Sequence, residues 1–181
     1  MNEMKIEKIG FALLFIALVC LLTSCSVMGD NMKIFKESDE TIADKTFERL
    51  VNAINSKNVL QIKSMFSNTI QGNGNLEEES YKLFEFIQGD IVSYSSSSEM
   101  GVGTDIKSEN GKSKKEIQST FWIKTTKSIY YLAVKECVKN EFDNSDIGLL
   151  SIYIIKAQDW DKDYVYRGDG KWSRGVNIDV A

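Results

Sequence analysis

The side chains able to do chemistry are few and restricted in kind. The 181 residues contain no histidine and three cysteines, Cys20, Cys25 and Cys137. Without histidine there is no Ser-His-Asp or Cys-His nucleophile, no His-ligated zinc and no imidazole base. Cys137 lies in the run Val134-Lys135-Glu136-Cys137-Val138 and reads as a small buried strand residue, because no base stands by to activate its thiol. Asp159, Asp161 and Asp163 are spaced like the start of a calcium loop. That loop needs Gly at its sixth position and Glu at its twelfth, and this chain has Tyr164 and Gly170 there. Gly101-Val102-Gly103 opens like a phosphate-binding turn, but the third glycine falls on Ile106. Arg167-Gly168-Asp169 sits in a glycine-rich stretch and reads as a turn. No catalytic residue, metal ligand or cofactor is expected from these spacings.

The aromatic residues carry more. Trp122 alternates with Gln118, Thr120 and Lys124, so it lies on the polar face of its predicted strand. Tyr131 and Tyr153 fall on neighbouring predicted strands, and Trp160, Tyr164, Tyr166 and Trp172 crowd the segment that follows. Such rings offer an apolar body with a polar tip, which suits a ligand pocket or an interface. Trp122, Tyr131, Tyr153 and Trp160 are the candidate ligand or interface residues. Their occupant would be a small ligand, a protein partner or a second copy of the chain; core packing is the alternative. A net charge of −4 and a pI near 5.0 argue against a nucleic-acid partner. Lys107, Lys112, Lys114 and Lys115 are interleaved with Glu109 and Glu116 in 107–116, which reads as a charged, solvated loop. Use of that loop at an anionic membrane surface is the second reading.

The N-terminus sets the expected address. Lys5 and Lys8 precede an uncharged apolar run from Ile9 to Leu22, shorter than the ~20 residues that cross a bilayer. A basic start, a short apolar run and small residues behind it describe a secretory signal. The tetrad Leu22-Thr23-Ser24-Cys25 resembles the lipobox of bacterial lipoproteins. The resemblance implies that Cys25 receives the lipid, that residues 1–24 are removed, and that the protein is held outside the cytoplasm on the cell membrane. Residues 25–38 then read as a lipidated tether and 39–181 as a single domain.

Stepping along that domain, Ala43, Phe47, Leu50, Val51 and Ile54 form one apolar stripe of a helix over 39–57. Asn58 caps a second, short helix with Ile62, Met65 and Phe66 inward. Residues 67–75 read as a loop. A third helix runs over 76–88, with Leu76, Ser80, Tyr81, Phe84 and Ile87 inward and Gly89 as its stop. Beyond Gly89 the period changes to two. Strands are expected at 91–94, 116–125, 128–138 and 147–156, the last apolar on both faces as a central strand would be. Helices first and strands after is the α+β order: N-terminal helices on a curved antiparallel sheet of about four strands.

Phe47 and Leu50, the run Leu83-Phe84-Glu85-Phe86-Ile87-Gln88-Gly89, Lys156-Ala157, Gly168-Asp169 and Lys171-Trp172 resemble a family of small bacterial lipoproteins of unknown function. The resemblance implies a cystatin-like domain, the cone also found in nuclear-transport-factor-like proteins. The chain departs from it after Trp172, where Ser173-Arg174-Gly175 stands in place of a proline. The family brings no catalytic residues. The expected function is therefore a non-catalytic module that binds a ligand or protein. The alternative is an enzyme that uses Asp, Glu or Tyr for proton transfer in the cone.

Overall fold

A computed structural model describes residues 37–72, 74–160 and 173–178. Expectations for Cys25, the signal and residues 25–36 of the tether lie outside the described residues, as do Asp161, Asp163, Tyr164, Tyr166, Arg167, Gly168, Asp169 and Trp172. The elements described below all fall in the unit Ser38–Ala181.

Four helices come first: α1 Asp39–Asn55, α2 Val59–Met65, α3 Asn68–Gln71 and α4 Leu76–Phe86. The Ser38 hydroxyl accepts from Thr41 N–H at 3.2 Å and the Asn58 side chain from Gln61 N–H at 3.0 Å, each satisfying an orphan donor of the first turn. The α1 stripe is buried as its spacing requires: Ala43, Phe47, Leu50, Val51 and Ile54 all face the core. On α4 the buried residues are Leu76, Ser80, Leu83 and Phe84. Tyr81, expected inward, is exposed, because a residue 100° further round the helix than Ser80 leaves the stripe that Leu83 completes.

The sheet has six strands rather than four. They are β1 Ile91–Tyr94, β2 Val102–Glu109, β3 Lys112–Thr125, β4 Ile129–Asn140, β5 Gly148–Lys156 and β6 Gly175–Ile178. One turn of helix, α5 Ser97–Met100, separates β1 from β2. The order is β1-β3-β4-β5-β6, with β2 also on β3. All pairs are antiparallel except β5–β6, which is parallel, so the sheet is mixed. The 107–116 segment is no loop. It closes a hairpin in which Glu109 faces Lys112 across Asn110-Gly111, with φ of 51° and 75°. Positive φ at both turn residues is what a two-residue hairpin of this twist demands, and Asn-Gly meets it at least cost.

Core and outer face follow from period two. Ile117, Ser119, Phe121 and Ile123 of β3 and Tyr130, Leu132 and Val134 of β4 face the helices and are buried. Phe47 of α1 lies flat on Phe121, with ring centroids 3.7 Å apart. The Tyr130 hydroxyl accepts from Gln88 N–H at 2.9 Å and donates to the Phe86 carbonyl at 3.1 Å, so it ties the end of α4 to β4. Gly148 opens β5 with φ 124°, and a Cβ there would stand 2.9 Å from Ser67 N and 3.0 Å from Met65 O. Only glycine lets the end of α2 pack this closely on β5.

Candidate functional site

Register builds an aromatic group on the outer face, away from the helices. Trp122 stands opposite Tyr131 across β3 and β4, and Tyr131 opposite Ile155 across β4 and β5. A single 3₁₀ turn, Ala157–Asp159, follows β5 and returns Trp160 to the same face. The three rings meet edge to face or tilted: Trp122–Tyr131 at 5.2 Å, Trp122–Trp160 at 5.3 Å and Tyr131–Trp160 at 5.8 Å. These are the separations that aromatic pairs prefer. Trp122, Tyr131 and Trp160 are half-buried. Tyr153 is only 2% exposed and packs with Ala133 and Ile155 beneath Tyr131 and Trp160. The structure thus brings all four expected residues together, three with accessible ring surface and one as support. Burial pushes the Tyr131 hydroxyl above its ordinary range, and a hydrogen bond with Thr120 works the other way.

Trp122 also walls an open groove of about 690 Å³. Tyr94, Ile123, Ile129 and Ala157 give it apolar walls, and Glu99 and Lys124 supply charge. This is within the size range of small-molecule sites.

Further along the same face lies a polar network that was not anticipated. Glu116 is held by Lys114 and Lys135, each at 2.7 Å. Burial works against its ionisation, but the two ammonium groups outweigh that and keep its carboxyl below the usual range. Arg174 grips Asp146 with both terminal nitrogens, at 2.8 and 3.2 Å. Glu116, Lys135, Ser151, Ser173 and Arg174 line a recess of about 160 Å³, with the buried Ser151 hydroxyl in it lacking a partner. Three of the four lysines expected in a solvated loop are ion-paired on strands: Lys107 with Glu109, Lys114 with Glu116 and Asp146, and Lys115 with Asp39.

One further residue was missed. Glu136 continues the inward alternation of Tyr130, Leu132 and Val134, and it is 8% exposed. Thr46 of α1 donates to its Oε2 at 3.0 Å, and its Oε1 has no partner. Burial, opposed by the Thr46 bond and by the Arg49 charge, pushes its carboxyl up to about 7. Period two alone places a carboxylate on the core face here, which is the signal that could have found it. Among the described residues no group of His, Cys, Asp and Glu is placed to hold a metal ion.

These features define an α+β domain with helices on one face of a mixed sheet and an aromatic group on the other. Residues 49–157 match the family described as Domain of unknown function (DUF5104), and the chain belongs to that family. The match runs from within α1 to the end of β5, so it includes Trp122, Tyr131 and Tyr153 and stops short of Trp160 and β6. No curated protein matches the chain.

Proposed function

We propose that the protein is a lipid-anchored, extracytoplasmic binding module that holds a small ligand or a peptide against the aromatic side of its sheet without transforming it. The observation that carries this is the Trp122–Tyr131–Trp160 group, which keeps accessible ring surface beside an apolar groove. Rings of this kind gain most by covering apolar surface while their polar tips orient a guest. The lipid anchor rests on the Leu22-Thr23-Ser24-Cys25 tetrad, and the cystatin-like form of the fold on the helix-first order and the antiparallel hairpins.

A ligand screen on the full chain in detergent, read by tryptophan fluorescence and thermal shift against peptides and cell-wall fragments, tests the reading. Trp122→Ala should lose the response while the domain still unfolds cooperatively, as for an anchor at a binding surface. If Trp122→Ala instead costs several kcal/mol of stability, the ring is structural and the reading fails. Labelled palmitate entering wild type and Cys25→Ala equally would remove the anchor. The enzyme reading is favoured by one observation, the carboxyl of Glu136 near 7. Glu136 lines none of the grooves described above and packs under α1, so binding without turnover is the stronger reading.

A further inference from the structure

The two ends of the sheet are finished differently. At β6, Val176 N–H donates to the Glu79 carboxylate at 2.9 Å, and α4 covers that edge. At the other end β2 pairs with β3 alone among the described strands, from Val102 opposite Ser119 to Glu109 opposite Lys112. From Gly103 to Glu109 every residue of β2 is exposed, and Ile106 is 61% exposed. A long open edge offers a row of unpaired backbone groups and acts as a template for another strand.

Symmetry limits how this edge can meet a second copy. Antiparallel pairing of two identical edges needs a two-fold axis normal to the sheet. Outer faces then stay on one side, and residues opposite each other share a face. The axis must therefore pass midway between one residue and its own copy. Asp105 and Lys107 lie on the outer face, across from Glu116 and Lys114, and Ile106 lies on the helix face, across from Lys115. Centring on Asp105 sets Asp105 against itself. Centring on Lys107 sets Lys107 against itself and Asp105 against Glu109. Centring on Ser108 matches Lys107 with Glu109, but it runs into the Asn110-Gly111 turn and leaves Ile106 opposite Asn110. Centring on Ile106 pairs residues 103–109 and sets opposite charges across the seam: Asp105 meets Lys107 twice, Thr104 meets Ser108, and the exposed Ile106 covers its own copy. Opposite charges set across from each other stabilise a strand pair and like charges destabilise it.

We propose that the protein forms a two-fold dimer by antiparallel pairing of β2 with β2 of a second copy, centred on Ile106. The test is the mass of the full chain in detergent by sedimentation velocity over a concentration series. Wild type should dimerise. Asp105→Lys and Lys107→Asp, which each set two like-charge pairs across the seam, should each weaken dimerisation roughly tenfold. The double exchange D105K/K107D should return to within a few-fold of wild type, which a merely structural effect would not. Under oxidation I106C should form a disulfide dimer well above wild type, since residues facing each other across antiparallel strands have Cα atoms within disulfide reach, and T104C should not. A wild-type chain that stays monomeric at the highest attainable concentration overturns the proposal. So does a dimer indifferent to Asp105→Lys, which would point to the Ser108 register or to another surface, or one that T104C rather than I106C locks.

Discussion

Replacing Glu136 with Gln should stabilise the fold, and by more as the pH rises. Glu136 is 8% exposed and faces Thr46 and Arg49 of α1, with Ile117 of β3 and Leu149 of β5 across from it on either side. One carboxylate oxygen accepts from Thr46 and the other has no partner. The price of removing that charge from water is therefore incompletely met, and the folded carboxyl is pushed up to about 7 from the ordinary 4.5. The difference is worth about 3 kcal/mol once the group is ionised in both states. Because the folded value is the higher one, the folded protein binds the extra proton between these limits. The contribution is fully present below the unfolded value and is lost as the pH climbs through 7. Between pH 5 and 8 wild type should lose about 2–3 kcal/mol in urea unfolding followed by tryptophan fluorescence. Asp44, Glu116 and Asp146 are held below the usual carboxylate range, so they stay ionised across this window and add no slope. Glu136→Gln keeps an acceptor for Thr46 and carries no charge. It should flatten the profile and exceed wild type by about 2–3 kcal/mol at pH 8, with little difference at pH 5. Parallel profiles for the two proteins, or a wild type that gains stability with pH, would refute the reasoning.

Two further outcomes follow from packing and capping. Phe47→Ala should cost about 3–5 kcal/mol in the same unfolding assay, because the fully buried ring stacks on Phe121 and meets the edge of Tyr94 at 4.8 Å. Asp44→Asn should cost about 1–3 kcal/mol and raise hydrogen exchange around α5, since the Asp44 carboxylate accepts from Ser97 N–H at 2.9 Å, from the Ser97 hydroxyl and from the Ser96 hydroxyl. Burial opposes ionisation of Asp44, and those bonds outweigh it and hold the carboxyl below its ordinary range.

How much of this was legible depends on whether a segment has one dry face. The α1 stripe and the alternation of β3 were readable because each buries one side and wets the other, so the period is written in residue type. Trp122 and Tyr131 could be placed on the outer face for the same reason, although their meeting depends on a register set by the turn at 126–128, where Thr125 N–H donates to the Ser128 carbonyl at 2.8 Å. The polar recess was not readable, since it needs Arg174 beside β6, and a four-residue strand carries too few positions to show a period. Glu136 was readable and was passed over: a charge on the dry face breaks the pattern at one position and looks like noise.

β2 shows the opposite limit. Its residues are wet on both faces, so no alternation of apolar and polar types marks it, and its charges suggested a loop. The only local sign was Asn110-Gly111, whose backbone preference favours a two-residue hairpin whatever flanks it. A strand held by its backbone on one side, and matched to its own copy by Asp105 and Lys107 on the other, needs no apolar face. The charges that hid β2 as a strand are thus the same ones that make its open edge self-complementary.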